Sequence, residues 1–284
     1  MTMPRELVFV RHGESEANIT QRKNPEISDP AYKDLVNARA DWRHRLTPRG
    51  IEQARTAGDW VRQNLGGLAS FDVRYFSPFV RTRETAGYLS GDEDVKWTHE
   101  DRMIERDWGE FGRLSREEQE SMYPVITREK KLNPWYARLT GGESLMDVYA
   151  RVRDMQATLA REYPEGKVLF VTHGDTMNVW RYALERMLPE EWEELDRDSE
   201  RTFDNCSVLH YTRVNPENPS DVREKLHWRR LIHTAKLDES PDGGLWVELP
   251  KRRRFSASDL LEQVQISSPL LDEWNVKSDH RLEG

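Results

Sequence analysis

The chain has 284 residues with a formal net charge of -8, 33% charged residues and a mean hydropathy of -0.87. Its acidic balance argues against nucleic-acid binding, and no apolar run approaches the roughly 18 residues that span a bilayer, so we expect neither nucleic acid nor a membrane as a partner. The single cysteine, Cys206, excludes an internal disulfide framework. Together with a polar N-terminus that is unlike a secretory signal, it predicts a cytoplasmic protein.

The predicted elements begin with an apolar run at residues 7–10, which is typical of a buried strand. Asp29-Pro30 and Thr47-Pro48 each place a capping residue before a proline, which predicts helices over residues 30–44 and 48–65. Further strands are predicted at 71–76, 167–172 and 205–212, and further helices begin near residues 79, 145, 176 and 189. Strands and helices therefore alternate along most of the chain.

This alternation predicts an α/β fold, a three-layer sandwich with a mainly parallel central sheet and helices on both faces. The sandwich is assigned to residues 1–213, with an insertion at 19–45 that lies over the mouth of the site. Residues 214–284 predict a C-terminal β-rich extension, which consists of a hairpin, a short helix and a mobile tail. The hairpin would pair residues 226–232 with 245–249, whose apolar edges favour self-association, so we also expect a homodimer.

Two His-Gly pairs follow apolar strand runs, His12-Gly13 after residues 7–10 and His173-Gly174 after residues 168–171. In a parallel sheet the functional site lies at the C-terminal ends of the strands, where both pairs are expected. A histidine beside Arg11 suits attack on a phosphoryl group, because imidazole can be the nucleophile while guanidinium holds the oxygens. The pattern therefore predicts phosphoryl-transfer chemistry.

The chain resembles the histidine phosphatase superfamily, whose best-known branch is the cofactor-dependent phosphoglycerate mutases. The resemblance covers about residues 5–213 and depends on several segments that occur in the order typical of the family. These segments are Arg11-His12-Gly13-Glu14-Ser15 with Asn18, Leu46-Thr47-Pro48-Arg49-Gly50, Ser77-Pro78 with Arg81, Glu105-Arg106-Asp107-Trp108-Gly109, Gly141-Gly142-Glu143-Ser144 and Thr172-His173-Gly174. Each segment is weak evidence by itself, whereas the ordered set is specific.

The resemblance implies a pocket in which His12 accepts the phosphoryl group and becomes phosphohistidine. Glu105 stands where the family keeps the acid that protonates the leaving oxygen, and the neighbouring Asp101, Asp107 and Glu110 could do the same job. The side chains that would surround the non-bridging oxygens complete the catalytic set and are Arg11, Arg81 and His173. The wider set of substrate contacts adds Asn18 and Arg106 to those residues. We predict no metal site and no cofactor, since the histidines lack helical His-x-x-x-His spacing and there is no cysteine cluster.

The proposed chemistry sets two requirements on protonation. The nucleophilic histidine must be neutral, which its ordinary pKa of about 6.5 allows near neutral pH. A carboxylic acid that donates a proton at neutral pH needs a raised pKa; a bound dianion would raise it, whereas neighbouring arginines would lower it. The sequence leaves this balance open at Glu105, and Arg81 could instead pair with Glu84 or with Glu105.

The chain departs from the mutase pattern in two places. Residues 127–135 contain no paired arginines where that branch grips a carboxylate, and a longer stretch replaces the short loop after Asn18. A mutase must retain its bisphosphate intermediate, whereas a phosphatase only has to admit water. We therefore predict a metal-independent phosphomonoester hydrolase that acts on a small-molecule phosphomonoester. The alternatives are a cofactor-dependent phosphoglycerate mutase-type phosphotransferase and a phospholigand-binding regulatory protein with weak or no catalysis.

The insertion at 19–45 is rich in basic side chains. They suit an additional negative group on the substrate and equally suit a solubilising surface, and the sequence does not choose between these roles. The six side chains are Arg22, Lys23, Lys33, Arg39, Arg43 and Arg45.

Overall fold

The computed structural model of this chain describes residues 2–20, 30–197 and 203–264. The chain divides into two compact units, Met1–Leu249 and Pro250–Gly284. The predicted mobile tail lies outside the described residues from 265 onward, as does the part of the predicted insertion at 21–29. None of the described helices combines the length and the apolar character needed to cross a lipid bilayer.

The strands of the first unit are β1 (Glu6–Arg11), β2 (Val73–Phe76), β3 (Thr98–His99), β4 (Lys167–Thr172), β5 (Val208–Thr212), β6 (Val214–Asn215), β7 (Asn218–Val222), β8 (Trp228–Ile232) and β9 (Val247–Glu248). Its helices are α1 (Glu16–Thr20), α2 (Pro30–Asn37), α3 (Pro48–Leu65), α4 (Val80–Ser90), α5 (Arg116–Met122), α6 (Pro124–Leu132), α7 (Leu145–Glu162), α8 (Gly174–Glu185) and α9 (Pro189–Arg197). The second unit contains α10 (Ala257–Val264). Short 3-10 turns include Asp41–Arg43, Asp101–Met103 and Gly109–Arg113.

Within the described residues, seven strands form one sheet in the order β3-β2-β4-β1-β5-β8-β9. Strands β3, β2, β4 and β1 are parallel to one another. Strand β5 is antiparallel to β1, β8 is antiparallel to β5, and β9 is antiparallel to β8. Strands β6 and β7 pair separately. The sheet is therefore mainly parallel on one side of β1 and antiparallel on the other.

The two faces of the sheet are buried by different helices. Alternate residues of β1 point to opposite faces, so that Leu7 and Phe9 join one core cluster while Val8 and Val10 join the other. The first cluster contains the apolar stripes of α7 and α8, and the second contains those of α3 and α4. Because both faces are covered, the central strands are continuous apolar runs. This arrangement confirms the predicted three-layer α/β sandwich.

Helix α3 has the predicted bounds, whereas α2 is shorter than predicted. Thr47 caps α3 by accepting a hydrogen bond from the backbone N–H of Gly50 at 3.0 Å. The prediction of one helix over 30–44 was wrong, since α2 ends at Asn37 and a separate turn follows at Asp41–Arg43. The carbonyl of Val36 accepts hydrogen bonds from the backbone N–H of Arg39 and from His44 Nε2. These bonds replace the helical hydrogen bond that would continue α2.

The C-terminal β-rich extension forms and continues the main sheet. Strand β8 pairs with β9, as the predicted hairpin requires, with Trp228 opposite Glu248. On its other side β8 pairs with β5, with Trp228 opposite Thr212. Both edges of β8 are therefore paired within the chain, and β9 is the terminal strand on that side of the sheet. The homodimer stays a prediction.

Candidate active site

The pairing of β1 with β4 brings His12 and His173 together. The two strands are parallel and in register, so that Arg11 lies opposite Thr172 and the following residues leave the sheet side by side. The backbone N–H of His12 donates to the carbonyl of Thr172 at 2.9 Å. The two imidazole rings have centroids 5.1 Å apart, and both side chains are buried. Two histidines 161 positions apart along the chain thus share one site at the C-terminal strand ends.

Hydrogen bonds assign the proton on the His12 ring. Its Nδ1 lies 2.8 Å from the carbonyl oxygen of Gly13, and because a carbonyl only accepts, Nδ1 must carry the hydrogen. The lone pair of the neutral ring is therefore on Nε2. In His173 it is Nε2 that lies 2.8 Å from the hydroxyl of Ser77, while Nδ1 is buried without a protein partner among the described residues.

Burial keeps both rings neutral. Desolvation lowers the pKa of His12 well below its ordinary value, and the positive charges of Arg81 and Arg11 lower it further. The pKa of His173 is lowered well below its ordinary value by the same causes, burial first and then the charge of Arg81. Each imidazole is therefore unprotonated on one nitrogen at neutral pH, as a nucleophilic histidine requires.

Arg11 is the last residue of β1. Its Nη1 donates to the carbonyl of Phe203, and its Nε is buried without a hydrogen-bond partner among the residues described. The backbone of Gly174 lies close by, since a Cβ at that position would be 3.5 Å from Arg11 Nε. Arg11 thus has an uncommitted donor next to the second His-Gly pair, where an anion could be bound.

Arg81 is held on α4 and is almost completely buried. Its two terminal nitrogens donate to Asp41, with Nη1 at 3.2 Å from Oδ1 and Nη2 at 3.1 Å from Oδ2. Neither of the partners that the sequence left open, Glu84 and Glu105, is bonded to it in this way; Glu84 instead pairs with Arg45. Sequence reasoning missed Asp41, which lies in the insertion and belongs to no motif.

Glu105 lies in the loop after the 3-10 turn at Asp101–Met103. Two threonines fix this loop, since the Thr172 hydroxyl donates to the carbonyl of Met103 and the Thr176 hydroxyl donates to that of Ile104, each at 2.7 Å. The Glu105 carboxylate also accepts a hydrogen bond from the backbone N–H of Thr176 at 3.3 Å. The hydroxyls of Thr172, at the end of β4, and Thr176, on α8, therefore place the carboxyl of Glu105 beside the N-terminus of α8.

The carboxyl of Glu105 has the raised pKa that proton donation requires. Burial is the main cause, and the negative charge of Asp175 adds to it; Arg81 and Arg11 oppose the shift without cancelling it. Together these effects raise the pKa of Glu105 to about 7. Burial also raises the pKa of Asp175, whose Oδ2 has no hydrogen-bond partner in the described part of the chain. Sequence reasoning missed Asp175, although it directly follows His173-Gly174.

Asn18 and Arg106 lie at the edges of this cluster. Asn18 Oδ1 accepts hydrogen bonds from the backbone N–H of Ser15 at 3.1 Å and from Asn205 Nδ2 at 3.3 Å, and Asn205 Nδ2 is also 3.0 Å from the carbonyl of His12. Arg106 is buried, donates from Nε to the carbonyl of Glu143 at 3.0 Å, and packs on the ring of Trp108. Sequence reasoning missed Asn205, which ties Asn18 to the His12 backbone.

Two glycines let α3 approach the turn that carries His12. A Cβ at Gly13 would lie 2.4 Å from the carbonyl oxygen of Gly50, and a Cβ at Gly50 would lie 2.0 Å from that of Glu14. Any side chain at either position would therefore separate the two backbones. The contact explains why the segment 46–50 accompanies the Arg11-His12-Gly13 motif.

Three of the four described basic side chains of the insertion are paired with carboxylates of the chain. Lys33 lies 3.6 Å from Glu118, Arg39 lies 2.7 Å from Glu16, and Arg45 contacts Glu84. Arg43 packs on the ring of Trp42. Arg22 and Lys23 lie outside the described residues. Three of the six basic charges are thus balanced by carboxylates, which favours a role in fixing the insertion.

Among the residues that the structure describes, no group of three or more His, Cys, Asp or Glu side chains could hold a metal ion. Cys206 is buried, and burial raises the pKa of its thiol. It is therefore not a reactive thiolate.

The comparisons with known proteins agree with this architecture. Residues 7–218 match the family model of the histidine phosphatase superfamily, branch 1. The chain therefore belongs to the histidine phosphatase superfamily, the family that its sequence motifs resemble. A 2,3-bisphosphoglycerate-dependent phosphoglycerate mutase of Beijerinckia indica is 30% identical over 199 residues, which are 66% of this chain and 84% of that protein.

Relatives with a phosphatase name are equally similar. Phosphoserine phosphatase 1 of Hydrogenobacter thermophilus is 31% identical over 179 residues, which are 63% of this chain and 75% of that protein. The solved structure of a mycobacterial glucosyl-3-phosphoglycerate phosphatase, 21% identical, aligns with a TM-score of 0.57 over 80% of this chain and 96% of that one. At that identity it shows a shared fold. The family thus contains both mutases and phosphatases.

Proposed function

We propose that this protein is a phosphomonoester hydrolase that acts through a phosphohistidine on His12. The observation that carries the proposal is the buried pair of His12 and His173, in which the contact of His12 Nδ1 with the Gly13 carbonyl leaves the ring's lone pair on Nε2. Burial lowers the pKa of His12 and raises that of Glu105 to about 7. A nucleophile and a general acid need these opposite states at the same pH. Arg11, Arg81 and His173 supply the surrounding donors.

The reaction proceeds in two steps. In the first, the Nε2 lone pair of His12 attacks phosphorus, the P–O ester bond breaks, and Glu105 gives its proton to the leaving oxygen. In the second, the Glu105 carboxylate takes a proton from water as the water oxygen attacks phosphorus and the P–N bond breaks. Inorganic phosphate leaves, and His12 and protonated Glu105 are restored. Arg11 and Arg81 neutralise charge on the non-bridging oxygens in both steps.

Hydrolysis is favoured over the mutase reaction by the segment that corresponds to the carboxylate grip of the mutases. Its first part lies in α6, where Lys131 pairs with Glu120 at 2.9 Å and Lys130 packs over the ring of Trp108. Paired arginines are absent from the sequence of this segment. The mutase names of several relatives keep phosphoglycerate isomerisation as the second candidate.

Replacing His12 tests its role as the nucleophile. His12→Ala removes the group that accepts the phosphoryl, so the rate of p-nitrophenyl phosphate hydrolysis should fall by about 10³-fold or more, as when a nucleophile is removed from other enzymes. Release of p-nitrophenol at several substrate concentrations measures kcat and KM. His99→Ala, which removes an exposed histidine outside the site, is the matched control and should retain wild-type rates.

The wild type and His12→Ala also distinguish a hydrolase from a mutase and from a binding protein. When the reaction of the wild-type protein with substrate is quenched, an acid-labile, base-stable phosphoryl adduct on His12 is expected. Absence of this adduct together with tight phosphate binding would indicate a binding protein without catalysis. Conversion of 3-phosphoglycerate to 2-phosphoglycerate that depends on added bisphosphoglycerate and outpaces phosphate release would identify a mutase. Either result contradicts the proposed hydrolase.

A further inference from the structure

The guanidinium of Arg81 is already bound to a carboxylate of its own chain. Asp41 meets it with both carboxylate oxygens, at 3.2 Å and 3.1 Å, and its backbone carbonyl accepts a further hydrogen bond from Nη1 at 2.9 Å. The Arg81 side chain is 5% exposed, whereas that of Asp41 is 59% exposed. A buried cation of the site is therefore engaged by a carboxylate that reaches it from the solvent side.

The contact uses the geometry by which an arginine binds a phosphoryl group. A guanidinium offers two terminal nitrogens side by side, and carboxylates and phosphates both bind this fork with two oxygens. Asp41 occupies both nitrogens of Arg81. Its charge also acts on His12, since it is among the groups that affect the pKa of that ring. A phosphoryl group on His12 and the carboxylate of Asp41 would thus compete for the same donors and repel each other.

The turn that carries Asp41 is tied to the rest of the chain on both sides. His44, which is buried, lies with Nδ1 at 3.3 Å from Asp41 Oδ1 and with Nε2 at 3.0 Å from the carbonyl of Val36. Arg39 is bonded to Glu16 at 2.7 Å. These contacts fix the turn in the position where Asp41 meets Arg81.

We propose that Asp41 is an internal competitor of the substrate's phosphoryl group for Arg81, and that the turn at Asp41–Arg43 must release Arg81 before the phosphoryl group can bind. The pocket concerned is the one assigned under the proposed function, on which this inference rests. Substrates therefore bind more weakly than the cationic pocket alone would allow. The contrary role, in which Asp41 orients Arg81 for the phosphoryl group, predicts the opposite effect of removing its charge.

Direct binding of inorganic phosphate tests the competition. Asp41→Asn keeps the shape of the side chain and removes its charge, so the phosphate dissociation constant measured by titration calorimetry should fall about three- to tenfold. Asp34→Asn is the matched control, because Asp34 is an exposed aspartate on α2 with the same charge change, and it should bind as the wild type does. Asp41→Ala should strengthen binding in the same direction. Unchanged or weaker binding by both Asp41 variants would overturn the proposal.

A second readout follows the turn itself. Trp42 directly follows Asp41 and is 45% exposed, so release of Arg81 should change its fluorescence when phosphate saturates the protein. This fluorescence change should be lost in Trp42→Phe. If phosphate changes the fluorescence of the wild type and of Trp42→Phe equally, the turn does not move, contrary to the proposal.

Arg81→Ala separates this inference from the proposed function. If the pocket is correctly assigned, this variant should lose most phosphate affinity whether or not Asp41 competes. Wild-type affinity in Arg81→Ala would contradict the assigned pocket, whereas loss of affinity in Arg81→Ala together with unchanged affinity in Asp41→Asn would contradict only the competition.

Discussion

At the scale of single residues, one buried environment produces two opposite protonation states. Desolvation disfavours the charged form of any group, which lowers the pKa of His12 and raises that of Glu105. The two arginines then act in the same direction as burial on the histidine and against it on the glutamate. The negative charge of Asp175 raises the pKa of Glu105 and so opposes the effect of the arginines. A carboxylate outside the recognised motifs thus adds to the effect of burial on a neighbouring acid.

The pH dependence of catalysis tests the effect of Asp175 on Glu105. Because Glu105 must be protonated in the first step and its pKa is raised from 4.5 to about 7, kcat/KM should decline as pH rises through about 7. Asp175→Asn removes the negative charge that helps to raise this pKa, so the basic limb should move to lower pH. Profiles of kcat/KM against pH on an alkyl phosphate measure the limb.

Two variants complete this experiment. Asp101→Asn, an exposed aspartate near the same loop, should leave the limb in place. Glu105→Gln should lower kcat by about 10²- to 10⁴-fold and abolish the limb. A limb that stays at the wild-type pH in Asp175→Asn would show that Asp175 does not control the acid.

At the scale of elements, the start of α3 connects helix stability to the shape of the site. Thr47 caps the helix and also donates from its hydroxyl to Glu14 Oε1 at 2.9 Å. Its backbone N–H donates to the carbonyl of Glu14 at 2.9 Å. The first turn of α3 is thereby fixed against the turn that follows β1, where Gly50 and Gly13 are in backbone contact.

Thr47→Ala removes the cap and the bond to Glu14. We expect the free energy of unfolding to fall by about 1–2 kcal/mol, the usual cost of losing a helix cap. Urea denaturation followed by circular dichroism measures it. Thr56→Ala, an exposed threonine within the same helix, is the control and should change stability by less than about 0.5 kcal/mol. Equal losses in the two variants would contradict a special role for the cap.

At the scale of the whole molecule, the sheet is extended beyond β1 by antiparallel strands and joined to α8 through one buried carboxylate. Glu185, the last residue of α8, accepts hydrogen bonds from Arg181 at 2.9 Å, from the Tyr211 hydroxyl at 2.8 Å and from Arg229 at 3.2 Å. Tyr211 lies on β5 and Arg229 on β8. Strands that precede and follow residue 213 thus share one polar network with a helix of the sandwich.

Glu185→Gln should weaken this network across the molecule. The substitution leaves the largely buried guanidinium groups of Arg181 and Arg229 without the negative charge of Glu185. We therefore expect the free energy of unfolding to fall by about 3 kcal/mol. Thermal and urea unfolding measure the loss. Glu194→Gln, an exposed glutamate on α9 with the same charge change, should have little effect. A loss below about 1 kcal/mol in Glu185→Gln would show that the network contributes no more than an exposed ion pair does.

The sequence by itself determined the elements that depend on local chemistry. Apolar runs define β1 and β4, because strands buried on both faces need continuous apolar residues. Thr47-Pro48 and Gly66 define α3, because capping and a left-handed C-terminus are properties of short segments. The His-Gly pairs at strand ends were enough to predict a shared site, since parallel strands end at one edge of the sheet.

Only the tertiary structure decided which charged groups meet and how far each is buried. Asp41 and Arg81 are 40 positions apart, and no periodicity relates a turn in an insertion to a helix beyond the next strand. The influence of Asp175 on Glu105 depends on a loop fixed by two threonine hydroxyls. The end of α2 at Asn37 depends on His44, which bonds to the carbonyl of Val36. Such contacts are set by the packing of distant segments, and desolvation, which determines the pKa values of the site, exists only once that packing is complete.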